Sequence, residues 1–488
     1  MRQLNQQNLA AIDTQISKPS FDRSELKTGI VHIGVGGFHR AHQAYYLQKL
    51  TETSNSDDWG ICGIGLREED RNISAILKKQ DHLYSLLVKH PNGTVESHII
   101  GAIVDYKFAI EDVQSVIDEL AHKDTKIVSL TITEGGYNFN PSTGEFDFKN
   151  PIIQEELRRP EKPKSVYGYL AAALKKRRDN KLPAFTILSC DNIEHNGDVT
   201  KKMLLAFTQK QNPELAKWIQ KEVKFPNSMV DRITPVTTTE DISFIAEKYG
   251  LKDEWPVTSE PFIQWVVEDK FSNGRPNLEK VGVQFVPDVK PYEKMKLRLL
   301  NAGHSVLGIL GALNGYKTIN ECIDDSLFNN YLKQFMDLEV TPVLDTVNGI
   351  DLGAYKQSLR ERFANPNIKD SVSRICSESA AKLPKFLIPT IKENLVNEGN
   401  IALGTLVISA WCYYSDKQTD LNDMPLDVID SQKVVLEKTA QKGPLTFIQQ
   451  ETIFGDLAKN ERFVTLYETM VKDLYHHRDV KKQMGNLV

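Results

Sequence analysis

Short, almost unbroken apolar runs alternate with longer amphipathic segments through the first half of the chain, and this alternation restricts the fold more than any other feature. The runs occupy residues 29–36, 59–66, 99–106, 126–133 and 185–192. Such runs predict strands that are buried on both faces of a sheet. Helices are predicted between them, at 39–52, 111–122 and 165–178. The alternation therefore predicts an α/β fold with a Rossmann-like, doubly wound parallel sheet.

Helical periodicity replaces this pattern in the second half of the chain. Helices are predicted at 295–314, 325–346, 388–414 and 461–475, and strand-like runs become rare. We therefore predict two domains, a Rossmann-like domain of residues 1–285 and a mainly α-helical domain of residues 286–488. A chain of 488 residues is long enough to give each domain a buried core.

Composition excludes several classes of protein. The net charge of −5 and the lack of a long basic run argue against a nucleic-acid partner. The N-terminus has no apolar core after positive charge, and the longest apolar stretches, such as Ser305–Leu313, are too short to cross a bilayer. Five scattered cysteines without a CxxC pair predict free thiols and no zinc site. We expect a cytoplasmic protein without a membrane partner. Its oligomeric state is left open, with a monomer as the working expectation.

The sequence GVGGFHRAH, residues 34–42, follows the first apolar run and precedes a predicted helix. Gly34 is suited to the tight turn and Gly36 to close approach of a pyrophosphate, while N–H groups at the helix start, near Gly37, attract phosphates. His39 stands where a dinucleotide fingerprint has its third glycine, which relaxes helix packing but leaves the phosphate site. The pattern favours nucleotide binding over the alternative, a purely structural glycine turn.

A charged turn, REED at residues 67–70, ends the second apolar run. An acid at this edge, Glu69 or Asp70, can accept hydrogen bonds from ribose hydroxyls and repel a 2′-phosphate. This arrangement favours NAD over NADP. Arg67 leaves dual specificity open, and a charged surface turn is the alternative.

A metal site at His39 and His42 is the other interpretation of the glycine-loop sequence, because a spacing of three can place two imidazoles on one ion. The neighbouring sequence supplies no carboxylate or third histidine at a matching position. Arg40 would also add positive charge beside a divalent ion. We therefore predict no metal, and the contacts of the two histidines are left open.

Polar residues interrupt an apolar helix at Pro291–Gly315. In a regular α-helix, Asn301 lies about 140° and His304 about 80° around the axis from Lys296, so all three lie on one side. A buried lysine has a lowered pKa and can act as a general base, and an asparagine amide can donate to a developing alkoxide. Three glycines predict close approach by another element or a ligand: Gly303, Gly308 and Gly311. The alternative is a snorkelling lysine, a structural asparagine and a buried core histidine.

Four motifs, in this order along the chain, resemble the mannitol dehydrogenase family of polyol-specific long-chain dehydrogenases. They are the glycine loop Gly34–His42, VKFPNSMVDRITP at Val223–Pro235, the Lys-x4-Asn-x2-His pattern of Lys296, Asn301 and His304, and RICSESAAKLP at Arg374–Pro384. The resemblance extends from about residue 29 to 390. Two further stretches, GICGIGLREED and SLTITEGGYNF, are most similar to members that act on mannitol.

The resemblance implies an NAD-dependent, metal-independent oxidoreductase that interconverts D-mannitol and D-fructose by hydride transfer. It implies that Lys296 is the general base, Asn301 and Asn192 the oxyanion donors, His304 a substrate ligand and Glu293 a gate for proton passage. Asp231, Arg374 and Lys382 are implied to bind the polyol hydroxyls, with Asp231 paired to the two cations. The residues expected to bind NAD are Gly34, Gly36, Gly37, Phe38, Arg40, Glu69 and Asp70.

One departure from the family concerns Glu378-Ser379, where the family often has Asp-Gly, so the polyol contacts of this loop are less secure. Related members act on arabinitol or reduce hexuronates such as fructuronate and tagaturonate, and these activities remain alternatives. A non-catalytic dinucleotide-binding sensor is a further alternative, although it has no need of a buried base. An interaction protein is the third, but we find no basic stripe, heptad repeat or disordered tail to support it.

Overall fold

The computed structural model describes residues 1–54, 57–140 and 143–488. The chain divides into two compact units, residues 1–290 and 291–488. This division lies five residues beyond the predicted end of the first domain at residue 285. Among the helices of the described residues, none is both long and apolar enough to cross a membrane.

All strands assigned within the described ranges belong to the first unit. They are β1 (Arg2–Gln3), β2 (Thr28–Ile33), β3 (Gly60–Gly65), β4 (Tyr84–Lys89), β5 (Val95–Ile100), β6 (Ile103–Phe108), β7 (Ile127–Leu130), β8 (Thr186–Ser189), β9 (Ser228–Asp231), β10 (Leu251–Lys252), β11 (Val257–Ser259), β12 (Gln264–Glu268) and β13 (Gln284–Val286). Five of them form a parallel sheet in the order β6-β3-β2-β7-β8. The strand order reverses between β2 and β7, which confirms the Rossmann-like topology.

Ten α-helices accompany these strands in the described part of the first unit. They are α1 (Gly37–Ala41), α2 (Gln43–Ser54), α3 (Arg71–Lys79), α4 (Val113–Ala121), α5 (Thr133–Gly136), α6 (Pro151–Arg158), α7 (Val166–Asp179), α8 (Asn196–Gln211), α9 (Pro213–Glu222) and α10 (Thr239–Tyr249), with 3-10 turns at Leu9–Ala11, Arg23–Glu25, Glu68–Asp70 and Leu278–Val281. The predicted single helix over 39–52 is wrong, because His42 leaves the helical region at φ −121° and ψ −82° and separates α1 from α2.

Both faces of the five-stranded sheet are covered by helices. Neighbouring residues of one strand join different apolar clusters: Ile30 and Val31, Ile61 and Cys62, Ile127 and Val128. One cluster includes side chains of α4, α7 and α8, and the other includes side chains of α2 and α3. Because both faces are buried, the strands carry apolar residues without alternation, which is the signal that made them recognisable in the sequence.

Three smaller sheets complete the first unit, with strand orders β11-β4-β5, β13-β12-β9 and β1-β10. The predicted single strand over 99–106 is wrong, since β5 and β6 divide this stretch between two sheets. Gly101 lies between the two strands, and a Cβ there would approach Pro19 and Arg23 to within 2.9 Å. A close contact with another segment therefore marks the point where the chain changes sheet.

The second unit consists of helices. They are α11 (Lys290–Lys296), α12 (Ala302–Leu313), α13 (Ile319–Asp324), α14 (Ser326–Gln334), α15 (Leu352–Phe363), α16 (Val372–Cys376), α17 (Ser379–Phe386), α18 (Ile388–Val396), α19 (Ala402–Lys417), α20 (Lys433–Lys442), α21 (Pro444–Ile448), α22 (Glu451–Phe454), α23 (Glu461–His477) and α24 (Val480–Leu487), with π-helical turns at Leu297–Asn301 and Phe335–Val340 and 3-10 turns at Thr341–Val343 and Leu457–Lys459. The predicted helical character is confirmed. The helix predicted over 388–414 is divided in two, as α18 ends at Val396 and α19 begins at Ala402.

Candidate functional site

The glycine loop begins where β2 ends, at the point where the strand order of the sheet reverses. Gly34 has a φ of +96°, and a Cβ at this position would lie 2.2 Å from the backbone oxygen of Thr131. The Thr131 hydroxyl donates to the Gly34 carbonyl at 2.7 Å. His32 contacts the same hydroxyl through Nε2 at 2.9 Å. Only glycine suits this turn, because the positive φ disfavours other residues and a Cβ would collide with the backbone just after β7.

The next glycines leave open backbone at the start of α1. Gly36 is extended (φ −111°, ψ −170°) and immediately precedes the helix. A Cβ on Gly36 would meet nothing nearer than the Gly34 carbonyl oxygen at 3.9 Å, so the space beside this residue is clear of protein. Gly37 is the first residue of α1, and Phe38 packs against the apolar cluster of α2. Because α1 has only five residues, its dipole is weaker than the predicted long helix would provide.

Arg40 is buried and faces protein groups. Its Nη1 donates to the backbone oxygen of Trp255, and its guanidinium lies 5.1 Å from the ring centroid of Tyr84. The Tyr84 hydroxyl in turn donates to the Arg40 carbonyl at 2.7 Å. Burial lowers the pKa of the guanidinium. Arg40 therefore fastens α1 to β4, while the expected contribution of its charge to phosphate binding stays a prediction.

His39 and His42 have different surroundings. The ring of His39 stacks on that of His32, with centroids 3.5 Å apart and planes 10° from parallel. His42 contacts the Gln264 carbonyl through Nε2 at 2.8 Å and the Gln43 amide through Nδ1 at 3.0 Å. Both nitrogens of His42 are thus engaged by protein. Among the described residues, three side chains lie close enough together to hold a metal ion: Cys62, Asp105 and Glu119. Neither His39 nor His42 belongs to this group.

The acidic turn follows β3 directly. Asp70 Oδ2 accepts from the Arg67 backbone N–H at 2.9 Å and thereby caps the 3-10 turn before α3. Glu68 pairs with Arg71, and Glu69 is exposed. Part of the Asp70 carboxylate therefore shapes the turn, and Glu69 is the acid that extends from it. Both lie at the carboxyl edge of the sheet, next to the strand that leads into the glycine loop, where a ribose would be bound.

Asn192 follows β8 at the same edge of the sheet and is exposed. Its neighbour Asp191 is buried and accepts from the N–H groups of Ile132 and Thr133 at 3.0 and 2.9 Å, and from the Tyr137 hydroxyl at 2.7 Å. Burial raises the pKa of Asp191, and these hydrogen bonds oppose the shift. Asp191 joins the ends of β7 and β8 and fixes the segment that carries Asn192. Sequence reasoning missed this residue, although it stands directly before Asn192.

Asp231 is the last residue of β9 and is buried. The Ser228 hydroxyl at the start of β9 donates to the Ser189 carbonyl at 2.6 Å, which places this strand beside the end of β8. Arg232 is also buried, donates to the backbone oxygens of Ala41 and Glu260, and has its pKa lowered to about 10 by desolvation. The VDR sequence therefore contains a residue that ties the end of β9 to the end of α1.

A π-helical turn follows Lys296 in the second unit and ends at Asn301. Helix α11 ends at Lys296, residues Leu297–Asn301 are π-helical, and α12 begins at Ala302. The regular helical angles predicted for Lys296, Asn301 and His304 are wrong for this reason. An i→i+5 turn brings residues five apart closer to the same side than 100° per residue does, and such turns are frequent at functional sites. Glu293, Lys296 and His304 are buried, and Asn301 is half-buried.

The glycines of α12 allow other helices to approach. A Cβ on Gly308 would lie 2.7 Å from Ile375 Cγ2 and 3.3 Å from Cys376 Sγ, both in α16. Those on Gly303 and Gly311 would approach Leu332 to 3.2 Å and Cys322 Sγ to 2.3 Å. The predicted close approach is therefore made by protein side chains. At Gly308 it brings α16, which carries Arg374, against the helix that carries His304.

The two predicted polyol-binding cations lie on neighbouring elements. Arg374 in α16 forms an ion pair with Asp370, with Nε and Nη2 each within 2.8 Å of Oδ1. Lys382 in α17 donates to the Ile375 carbonyl at 3.2 Å, and burial together with Arg374 lowers its pKa. The His304 Nε2 lies 3.8 Å from Asp370 Oδ2. Asp370 thus joins His304 and Arg374, and sequence reasoning missed it, although an acid four residues before an arginine is a pairing signal.

The departure from the family at Glu378-Ser379 lies at the start of α17, which begins at Ser379. Glu378 is left-handed, with a φ of +52°. Its two carboxylate oxygens accept from the Ser431 N–H at 3.0 and 3.2 Å, and one of them accepts from the Ser431 hydroxyl at 2.7 Å. The carboxylate therefore holds the strained residue in place.

Known proteins match both units of the chain. Family profiles described as the mannitol dehydrogenase Rossmann domain and the mannitol dehydrogenase C-terminal domain match residues 28–280 and 288–475. The chain is 42% identical to the mannitol 2-dehydrogenase of Aspergillus fumigatus, with 96% of each sequence covered. The structure of Pseudomonas fluorescens mannitol 2-dehydrogenase in ternary complex with NAD and D-mannitol matches with 44% identity and a TM-score of 0.91, over 99% of both chains. A substrate-free D-sorbitol dehydrogenase structure matches with 34% identity and a TM-score of 0.90, over 99% of this chain and 100% of the other.

Proposed function

This chain belongs to the mannitol dehydrogenase family, and from that premise we propose that it is an NAD-dependent enzyme that interconverts D-mannitol and D-fructose. The chain covers 96% and 99% of two relatives that carry this activity in their names. The observation in its own structure that supports the chemistry best is the buried Lys296, which directly precedes the π-helical turn that ends at Asn301.

The residues at the carboxyl edge of the Rossmann sheet suit NAD. Gly34 makes the turn, and the backbone at Gly36 and Gly37 provides the approach for a pyrophosphate. Phe38 and Arg40 hold α1 in place through their packing and hydrogen bonds. Glu69 and Asp70 stand where the adenosine ribose hydroxyls need acceptors and where a 2′-phosphate would be repelled. When bound, NAD supplies the acceptor for a hydride.

Lys296 is the general base of the proposed reaction. Its amine would take the proton from the C2 hydroxyl of mannitol, and loss of that proton together with the hydride on C2 would convert the alcohol to the ketone of fructose. This step needs the neutral form of the amine. Asn192 and Asn301 donate amide hydrogens to the oxygen as negative charge develops on it. Glu293, three residues before Lys296, passes the proton on towards solvent.

The remaining polar residues orient the polyol. His304 binds near the reacting carbon, and Asp231, Arg374 and Lys382 bind the other hydroxyls. Lysine and amide groups supply both the base and the oxyanion donors, so the reaction needs no metal. We further propose that the enzyme acts as a monomer in the cytoplasm, where its five buried cysteines would stay reduced.

A substrate panel tests this proposal. The purified enzyme is assayed in both directions with mannitol, arabinitol, sorbitol and their ketoses, and with fructuronate and tagaturonate, using NAD(H) and NADP(H). We expect the highest kcat/KM for mannitol and fructose with NAD(H), and no change when a chelator is added. A clear preference for NADP(H) would contradict the role of Glu69 and Asp70. Tight NADH binding with no turnover of any substrate would instead indicate a sensor.

A further inference from the structure

Asp370 lies in the second unit between two residues that are far apart in sequence, Arg374 and His304. It is buried, and its carboxylate contacts two residues of the proposed polyol site. Both of its oxygens accept hydrogen bonds from Arg374, with Nε at 2.8 Å from Oδ1 and Nη2 at 2.5 and 2.6 Å from Oδ1 and Oδ2. The same Oδ2 lies 3.8 Å from Nε2 of His304.

Backbone hydrogen bonds on both sides of Asp370 fix the position of its Cα and therefore the starting point of its side chain. The Asp370 carbonyl accepts from the Ile319 N–H at 2.9 Å, and the Val372 N–H donates to the Lys317 carbonyl at 2.9 Å. These bonds join the segment to the start of α13 through an antiparallel bridge between Thr318 and Ser371. The carboxylate therefore extends from a segment held at two points rather than from a loose loop.

The two partners of Asp370 differ in how much they are held by other groups. The His304 ring is buried and packs against Phe363, with centroids 4.2 Å apart. The Arg374 side chain is 49% exposed, so little packing restricts its rotamers. A guanidinium with two nitrogens paired to one carboxylate keeps a defined orientation, because the planar fork fits only one approach. The third nitrogen, Nη1, takes no part in the hydrogen bonds to Asp370.

We infer that Asp370 is a positioning residue for polyol binding, which sets the orientation of the Arg374 guanidinium and faces the His304 imidazole with a negative charge. This inference rests on the proposed function, since it assigns Arg374 and His304 to the polyol. Asp370 itself contacts neither the substrate nor the cofactor in this assignment. Its loss would leave Arg374 free to rotate and would remove the carboxylate that links the two substrate ligands.

The variant Asp370→Asn tests the inference, because it keeps the size of the side chain and removes its charge. Steady-state kinetics would give KM and kcat for mannitol, and fluorescence titration would give the Kd of NADH. We expect the KM for mannitol to rise about tenfold or more, as is typical when a charged hydrogen-bonded partner is lost, with NADH affinity unchanged. The conservative variant Asp370→Glu should recover part of the loss.

Two comparisons separate positioning from general structural support. The control Asp416→Asn alters a carboxylate in the same unit that pairs with Lys417. Its burial is similar, since the side chain of Asp416 is 9% exposed and that of Asp370 is 5% exposed. The KM of this variant for mannitol should equal that of the wild type. In an Arg374→Gln background, Asp370→Asn should change the KM by less than about twofold, since residues that act as a unit are not additive.

A wild-type KM for Asp370→Asn, or an undiminished effect in the Arg374→Gln background, would overturn the inference. If Asp370→Asn does not fold, Asp370→Ser carries the test in its place, and a wild-type KM in that variant would overturn the inference equally. Failure of the wild-type enzyme to oxidise mannitol would count against the proposed function and not against the pairing, which can be measured with whichever polyol the panel identifies.

Discussion

The glycine loop of the first unit and the π-helical turn of the second unit are built on opposite principles. At the glycine loop the proposed functional surface is the backbone, and nearby polar side chains hold it in place, as His32 does through Thr131. At the π-helical turn the proposed functional groups are side chains, and Lys296 and His304 are buried on a helix. On the proposed function, cofactor binding depends on the shape of the backbone and reaction chemistry on a titratable side chain, so substitutions should damage the two separately.

The largest effect of breaking the loop is expected from Gly34→Ala. The new Cβ would lie 2.2 Å from the Thr131 carbonyl oxygen on a backbone at φ +96°, so β2 or β7 must shift. We expect NADH affinity, measured by fluorescence titration, to fall about 100-fold, in line with overpacking costs of up to about 3 kcal/mol.

Gly93→Ala provides the matched control for Gly34→Ala. Its φ is +85°, but nothing lies within 4 Å of the added Cβ, so it shares the backbone strain without the collision. It should cost about 1 kcal/mol of unfolding free energy and leave NADH affinity unchanged. Equal loss of NADH affinity in both variants would show that the shape of the loop is not what binds the cofactor.

Gly308→Ala should have a smaller effect and should act on the other function. The added Cβ would lie 2.7 Å from Ile375 Cγ2 and push α16, with Arg374, away from α12. We expect the KM for mannitol to rise about tenfold and unfolding free energy to fall by about 1–3 kcal/mol. Gly485→Ala in α24, where nothing lies within 4 Å, should leave the KM unchanged and add a few tenths of a kcal/mol of stability. Weakened NADH binding in Gly308→Ala would contradict the separation of the two functions.

The sequence predicted the parts of this comparison that depend on local pattern. The parallel sheet follows from apolar runs such as Gly29–Gly36, and the glycine loop follows from its place after the first of them. The break at His42 was not predictable, because the hydrogen bonds that hold it join residues as distant as Gln264. The π-helical turn was missed since residues 297–301 carry ordinary helix formers, and the i→i+5 bonding is imposed by packing. Asp191 contacts Ile132 and Tyr137, and Asp370 approaches His304, only in the folded chain, whereas the pairing of Asp370 with Arg374 is local and was overlooked.

The smallest expected effect concerns the acid stability of the first unit. Burial lowers the pKa of His32 to about 3, so folded His32 stays neutral where the unfolded chain, with a histidine pKa near 6.5, takes up a proton. The unfolded state binds more protons between these values, so stability falls as the pH falls below 6.5. The slope from this residue is at most about 1.4 kcal/mol per pH unit.

Urea unfolding at a series of pH values from 7 to 4 measures this slope. His32→Gln should be less stable at pH 7, because contacts with Ser129 and Thr131 are altered, but its stability should depend less steeply on pH. His476→Gln, which changes an exposed histidine of α23, should keep the wild-type slope. An unchanged slope in His32→Gln would show that another group causes the acid sensitivity.

The most direct test of the central claim is a comparison of Lys296→Met with Gly34→Ala, in which kcat for mannitol and the Kd of NADH are measured for both. Methionine keeps most of the volume and removes the amine, so we expect kcat to fall by at least about 10³-fold, as is typical for the loss of a general base, while NADH binds as it does to the wild type. Gly34→Ala should show the reverse pattern, with weak NADH binding and a kcat close to wild type when the cofactor is saturating. Retention of the wild-type kcat in Lys296→Met would contradict the claim that the reaction depends on the amine of Lys296 as its general base.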